Sequence, residues 1–260
     1  MRAARIKIVA PTASFRYPHF LVGKQLTYSM PPPSTIYGHI ASAVGELPAP
    51  EAIRFAYHFV FSAKGVDLEH QHIISTSPPD KLSKEQSANL KRWRAEHRLS
   101  LGGTVQPVFR EFLFQAELTL YLTPSSLAEA FCAPVFPVVL GRSQDVACVV
   151  SVEEVELPLA EGAYFENTLL PFAWRARTGR GITVLMPRYV APPPEREPSF
   201  ARYVVLRTGD RVYSGNAAVP ADDRRRIVRK AEPERWSIDP DAPLDKGVAR
   251  GLVFHSFVDD

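Results

Sequence analysis

Apolar and polar positions alternate along the first dozen residues. In AARIKIVAPT (3–12), Ile6 and Ile8 stand against Arg5 and Lys7, the period of a half-buried strand. An irregular stretch, SFRYPHFLVGKQLTYSMPPP, follows, and then the period changes. Ile36, Ile40, Ala43 and Val44 recur at helical spacing, with Ser34 before them as a hydroxyl cap and Gly45 after them as a stop, which predicts a helix over about 35–45. Period two returns in IRFAYHFVFSAK, where Ile53, Phe55, Tyr57, Phe59 and Phe61 share one face of a strand, with HQHIIST a candidate for its hairpin partner.

Residues 77–104 break this rhythm. They open on Pro78-Pro79, close on Gly102-Gly103 and hold a short basic helical stretch, so they read as an excursion from the core. Alternation resumes at 108–123, with Val108, Phe112, Phe114, Ala116, Leu118, Leu120 and Leu122 on one side. A short helix is expected next, because Ser126 and Glu129 are spaced as a capping box. The loop PVFPVVLGRSQD and a strand at 147–157 complete the order strand–helix–strand–(insertion)–strand–helix–strand. That order is the ferredoxin-like βαββαβ unit, an α+β arrangement. The expected organisation is a ferredoxin-like domain over 1–160 and a β-rich C-terminal region over 161–260, packed on the first or separate from it. The latter contains Pro192-Pro193-Pro194, the strand-like RYVVLRTGDRVYSG and the basic DDRRRIVRK at 222–230.

Charge changes the picture more than composition does. The net charge is only +3, yet residues 1–45 hold Arg2, Arg5, Lys7, Arg16 and Lys24 and no acid. Residues 81–110 hold seven basic and two acidic side chains, whereas 111–172 hold one basic and nine acidic. Separated basic blocks suit a polyanion met by particular surfaces, although solvated faces would give the same pattern. No stretch approaches the ~20 apolar residues of a membrane helix, and the start lacks the apolar run of a secretion signal. Cys132 and Cys148 lack CxxC or histidine spacing, so neither a zinc site nor a disulfide framework is expected, and a reducing cytoplasm is the expected compartment.

Residues 12–39 carry chemistry suited to RNA. Arg16 and Lys24 can neutralise phosphates, and Phe15, Tyr17 and Tyr28 can offer faces to splayed bases. Ser34 and Thr35 sit at a helix start, where free N–H groups and the helix dipole attract an anion. Phe15, Tyr37 and the prolines could equally be core and turn residues. In the excursion, Lys91, Arg92, Arg94 and Arg98 surround Trp93, a basic stretch with one aromatic that can track a backbone and stack a base. A solvated helix is the plainer alternative. Gly141, Arg142 and Ser143 could bring backbone close to phosphate, or form an ordinary loop. Metal-free cleavage of RNA would need a general acid and base, for which His39, His97 and Lys91 are available without a recognisable constellation. No HExxH, GxSxG, paired-carboxylate or P-loop pattern is present, so no metal, cofactor or catalytic residue is expected.

Three segments carry a family resemblance: Phe15-Arg16 running to Tyr28 and PPPSTIYGHIASAVGE (31–46), PVFREFLFQAELTLYL (107–122), and PVVLGRSQDVACVVSVEEVEL (137–157). Together they resemble the RAMP superfamily and, within it, CRISPR-associated protein family five, over about residues 1–160. The resemblance implies an RRM-like RAMP domain with a protruding thumb, here the basic insertion at about 77–104. It further implies a non-catalytic subunit of a type I Cascade complex that caps the 5′ handle of the guide crRNA and contacts the backbone and large subunits. Contact with target DNA beside the PAM is left open, and the segments look most like those of types I-B and I-A. In type I-C the homologue is also a metal-independent endoribonuclease that processes the guide, which is the alternative reading here.

Overall fold

A computed structural model describes residues 1–19, 23–75, 83–97, 101–219 and 235–258. The chain forms β1 (Arg2–Ala13), β2 (Lys24–Gln25), α1 (Pro33–Val44), β3 (Arg54–Val60), β4 (Ala63–Ser75), α2 (Lys84–His97), β5 (Leu101–Thr123) and β6 (Cys148–Glu156). The C-terminal part adds β7 (Leu159–Ala160), β8 (Tyr164–Phe165), β9 (Thr168–Pro171), β10 (Ile182–Val190), β11 (Pro198–Leu206), β12 (Val212–Tyr213), β13 (Trp236–Ser237) and β14 (His255–Ser256). In the main sheet the order is β14-β3-β5-β1-β6. The run β3-β5-β1-β6 has the ferredoxin-like arrangement expected from the sequence, in an α+β fold with few helices and a β-rich C-terminal part.

Several elements differ from the sequence pattern. Helix α1 starts two residues earlier than the hydroxyl cap would place it: Pro32 is the N-cap, Pro33 the first helical residue, and no side chain caps the turn. A proline tolerates that position because its missing N–H would have no helical acceptor anyway. Gly45 does close the helix, at φ 88° with its N–H on the Ala41 carbonyl. The expected second helix is a 3-10 segment, Ser125–Phe131, without a capping box; the Ser125 hydroxyl instead bonds Glu154 at 2.7 Å. HQHIIS belongs to β4, which pairs with β5 rather than with β3.

The alternation expected through 108–123 is broken at Gln115, whose φ is 51°. From Ala116 onward the even positions point into the core, but before it Leu113 is the buried residue and Phe114 is 44% exposed. This irregularity lets β5 leave the sheet and continue as one strand of a long hairpin with β4, from Ala63↔Phe114 to Ser75↔Leu101. The protrusion therefore begins well before residue 77, and α2 sits at its far end. Ser83 and Gln86 form a reciprocal capping box at the start of α2, each side chain accepting from the other's backbone N–H at 3.1 and 3.0 Å.

One apolar cluster joins the two parts of the chain. Ile6, Ile8, Ile36, Ile40, Phe55, Phe59, Leu118 and Leu120 pack with Leu169, Met186, Tyr203, Val205 and Phe257 from the C-terminal strands. Truncating a buried phenylalanine such as Phe55 or Phe59 to alanine typically costs about 3–5 kcal/mol. Phe15 lies in this cluster, edge-on to Phe59 at 5.6 Å. Tyr28 does too, 1% exposed, with its hydroxyl donating to the Leu185 carbonyl at 2.9 Å. Neither ring is open to a base, so the core reading holds for both.

Candidate nucleic-acid interface

A cleft of about 670 Å³ opens where five parts of the fold meet. Ser14 and Arg16 come from the end of β1, and Ser34, Thr35, Gly38, His39 and Ser42 from one side of α1. Val139 to Gln144 supply the loop before β6, Glu69 and Arg110 the base of the hairpin arm, and Pro187 the middle of β10.

Arg16 is held at the rim by backbone. It bridges Thr27, while the flanking Phe15 and Tyr17 N–H groups bond Thr27 Oγ1 at 2.8 Å and the Leu26 carbonyl at 3.1 Å. Its side chain is exposed and has no carboxylate partner among the described residues. Beside it, Ser34 and Thr35 occupy the second and third helical positions, half-buried and lining the cleft rather than capping the helix. Pro32 and Pro33 carry no N–H and the Thr35 N–H bonds the Pro32 carbonyl at 2.9 Å, so Ser34 supplies the open N–H at the positive end of the helix dipole. An exposed guanidinium and this turn face one cleft, which suits a phosphate.

The rest of the expected set divides. Lys24 is exposed but lies 3.5 Å from Glu111, which also takes Lys64 at 2.6 Å. Gly141, at φ 113°, is required by packing: a Cβ there would stand 2.0 Å from the Ser14 carbonyl oxygen. Its glycine thus seats the loop on β1 instead of admitting a phosphate. Arg142 is a structural residue as well, its side chain only 10% exposed and enclosed by Asp145 at 2.8 Å, Glu69 at 2.7 Å and Asp67 at 3.4 Å. These contacts raise its pKa, and the hydrogen bonds from Arg142 and Thr12 hold the fully buried Asp145 below the usual carboxylate range against the effect of burial. Ser143 is exposed on the rim. On α2, Lys91, Arg92 and Trp93 are exposed, Trp93 by 40%. Arg98 lies outside the described residues, as do the side chains of Arg94 and His97 and the basic run at 222–230.

His39 is buried beneath the cleft. Burial lowers its pKa to about 4, opposed by a bond to the Val139 carbonyl, and its Nε2 has no partner. It is neutral at pH 7. Among the described residues no group of histidine, cysteine and carboxylate side chains is disposed to hold a metal. Cys132 and Cys148 are both free and exposed, and no described helix is long and apolar enough to cross a membrane.

Pattern reading missed a second ionic centre on the opposite face of the sheet. Arg5 is 6% exposed, despite its place in a charged alternation, and bonds Glu153 at 2.5 Å and Asp239 at 2.9 Å. Asp239 also accepts from Tyr121 at 2.5 Å and from Arg250 at 3.3 Å. Arg2 pairs with Glu156 at 3.2 Å. Arg2 and Arg5 of the acid-free N-terminus are thus paired with acids of the neighbouring strand β6.

The fold and cleft define a ferredoxin-like domain with a hairpin arm, a C-terminal β-layer and one exposed arginine at a helix start. The family model described as CRISPR-associated protein (Cas_Cas5) matches residues 5–186, and the chain belongs to that family. Among solved structures, a chain of a CRISPR RNA-guided surveillance complex is 16% identical, with a TM-score of 0.49, covering 85% of this chain and 95% of its own. A CRISPR protein from Archaeoglobus fulgidus is 10% identical, with a TM-score of 0.40, covering 79% and 86%. No curated protein shows significant similarity.

Proposed function

We propose that this chain is a non-catalytic RNA-binding subunit of a type I CRISPR effector complex of the Cascade kind, and that it caps the 5′ handle of the guide RNA. Family membership supports a role in CRISPR defence, and the observation that carries the RNA reading is the cleft at the start of α1. There an exposed Arg16 shares the cleft with the Ser34 N–H and with the Ser34 and Thr35 hydroxyls. A handle phosphate seated there would be held by the guanidinium charge, by the Ser34 N–H and by the two hydroxyls together. The arm, with Lys91, Arg92 and Trp93 exposed on α2, would order the rest of the handle and meet the backbone and large subunits. Binding without cutting is favoured by the state of His39. A histidine with a pKa of about 4, buried and bonded to a carbonyl, is a weak proton acceptor at pH 7.

The test mixes the purified chain with unprocessed repeat RNA in EDTA. The RNA should shift in mobility and remain intact. Discrete cleavage that disappears in His39→Ala would establish the metal-independent endoribonuclease instead, and an absence of any shift would remove the RNA reading altogether.

A further inference from the structure

The segment FAWRARTGRG (172–181) holds Arg175, Arg177 and Arg180 within six residues and no acid. Several arginines elsewhere in the molecule are paired with carboxylates, as Arg5, Arg142 and Arg211 are. These three, and Arg202 beside them on β11, have no carboxylate partner among the described residues. Arg175, Arg180 and Arg202 are exposed and Arg177 is half-buried.

The turn that presents them is stiff. The Arg175 N–H bonds the Phe172 carbonyl at 2.9 Å, and the Arg177 and Thr178 N–H groups both reach the Trp174 carbonyl at 2.9 Å. The Thr178 hydroxyl donates to the same carbonyl at 3.2 Å. Trp174 is anchored edge-on to Trp236 at 5.4 Å. Gly181, at φ 79°, brings the turn back into β10, where a Cβ would stand 2.8 Å from the Val205 carbonyl oxygen. The Arg175 guanidinium donates to the Thr178 carbonyl at 3.2 Å, but among the described residues no cation of the turn has the carboxylate that several arginines elsewhere in this chain have. These cations are therefore placed for an anion from outside.

We infer that this arginine turn is a second nucleic-acid contact and that its ligand is the phosphate backbone of duplex DNA. Four guanidinium groups without a counter-charge fit a run of phosphates. Single strands need a free ring to stack on, and none is offered: Phe172, 40% exposed, lies under the Arg202 guanidinium at 5.6 Å, while Trp174 is taken by Trp236. Selecting RNA would need a group to read the 2′-hydroxyl, and Thr178, the hydroxyl side chain in the turn, is 2% exposed and already bonded. The turn is also separate from the cleft. Pro187 lines the cleft and Ile182 adjoins the turn, five residues along β10 or about 17 Å at ~3.4 Å per residue.

The experiment titrates the chain into labelled duplex DNA of arbitrary sequence at several salt concentrations. Wild type should bind with a steep salt dependence. In the Arg175→Ala/Arg177→Ala/Arg180→Ala variant, the slope of log K against log salt should fall by about 2.7, at ~0.9 per lost phosphate contact, with affinity at moderate salt falling more than about tenfold. Repeat-RNA binding and melting temperature should be unchanged. If the triple variant is unstable, Arg180→Ala alone removes an exposed side chain and should lower the slope by about 0.9. Failure of wild type to bind duplex DNA at low salt, or an unchanged slope in the variants, would refute the inference. Loss of RNA affinity with DNA binding intact would reassign the turn to the guide, and preference for duplex RNA would overturn the choice of DNA.

Discussion

Two loops of this protein join glycine to arginine, and they behave in opposite ways. In 140–145 the arginine is clasped by Asp145, Glu69 and Asp67, and the glycine is there so that the loop can touch Ser14. In 172–181 the arginines face outward without a carboxylate, and Gly181 only turns the chain into β10. Read as sequence, the first looks like a phosphate loop and the second draws little notice. The difference lies in acids that are remote along the chain. Glu69 is 73 residues from Arg142, and the hairpin arm carries it to the loop. What makes an arginine available to a ligand is the absence of such a partner, a property of the fold.

The largest effect expected from this contrast is on stability. Arg142→Ala would leave Asp145 fully buried without its main counter-charge, and breaking a buried pair from one side costs about 3–5 kcal/mol. Arg177→Ala removes a side chain with no ionic partner and should stay within about 0.5 kcal/mol. Urea denaturation of the two variants measures both. If they lose similar amounts, the two loops are not different in kind.

The next effect is on pH dependence, and it again separates the two loops. His39, whose ring bonds the Val139 carbonyl at the head of the first loop, has a pKa of about 4, against 6.5 when unfolded. Between these values the unfolded chain binds one more proton, so stability rises with pH. It is complete above about 6.5 and is lost as pH falls toward 4, by about 3 kcal/mol at most for this one group. His255, lowered to about 4, and His58, lowered to about 3, act in the same direction. Proton uptake on unfolding by these three histidines should therefore rise from under about one near pH 7 to nearly three, ~2.7, near pH 5, and the value near pH 5 should fall by about one in His39→Gln. In Arg175→Ala the uptake should be unchanged. Equal slopes in His39→Gln and wild type would mean that His39 is charged in the folded protein.

Much of the fold could be read from the pattern of residues. Long alternating runs such as 3–12 and 53–60 bury one face and admit one register, so strands and their order followed. What escaped detection was carried by single residues. The left-handed backbone of Gln115 moves the core face by one position without any hydrophobic signature. Pro33 marked the true start of α1, but Ser34 offered a competing signal of the kind that usually wins. In the candidate site, Arg16, Ser34 and Thr35 line one cleft, and they could be grouped in the sequence because all three lie within one short stretch. Phe15 and Tyr28 were equally close in sequence, yet the sheet turns both rings inward. Arg5 and Arg142 were misjudged for the reason the two loops illustrate. The partner of Arg5 on β6 is 148 residues away, and strand pairing alone makes them neighbours.

The smallest effect belongs to Arg16, and it tests whether an unpaired arginine in the cleft behaves like those on the turn. Its guanidinium has no carboxylate to lose, so Arg16→Ala should leave the melting temperature nearly unchanged. If its role is to meet a handle phosphate, repeat-RNA affinity should fall modestly, and the slope of log K against log salt should flatten by about 0.7–0.9, the contribution of one contact. Arg16→Lys keeps the charge and should restore most of that slope, because a single phosphate at a helix start needs a cation more than a planar fork. Binding to duplex DNA should not change, since the arginine turn lies at the other end of β10. A lower melting temperature with unchanged salt dependence would place Arg16 with Arg142 among the structural arginines. A loss of DNA and RNA binding together would mean that cleft and turn form one continuous surface, and the separation drawn between them would fail.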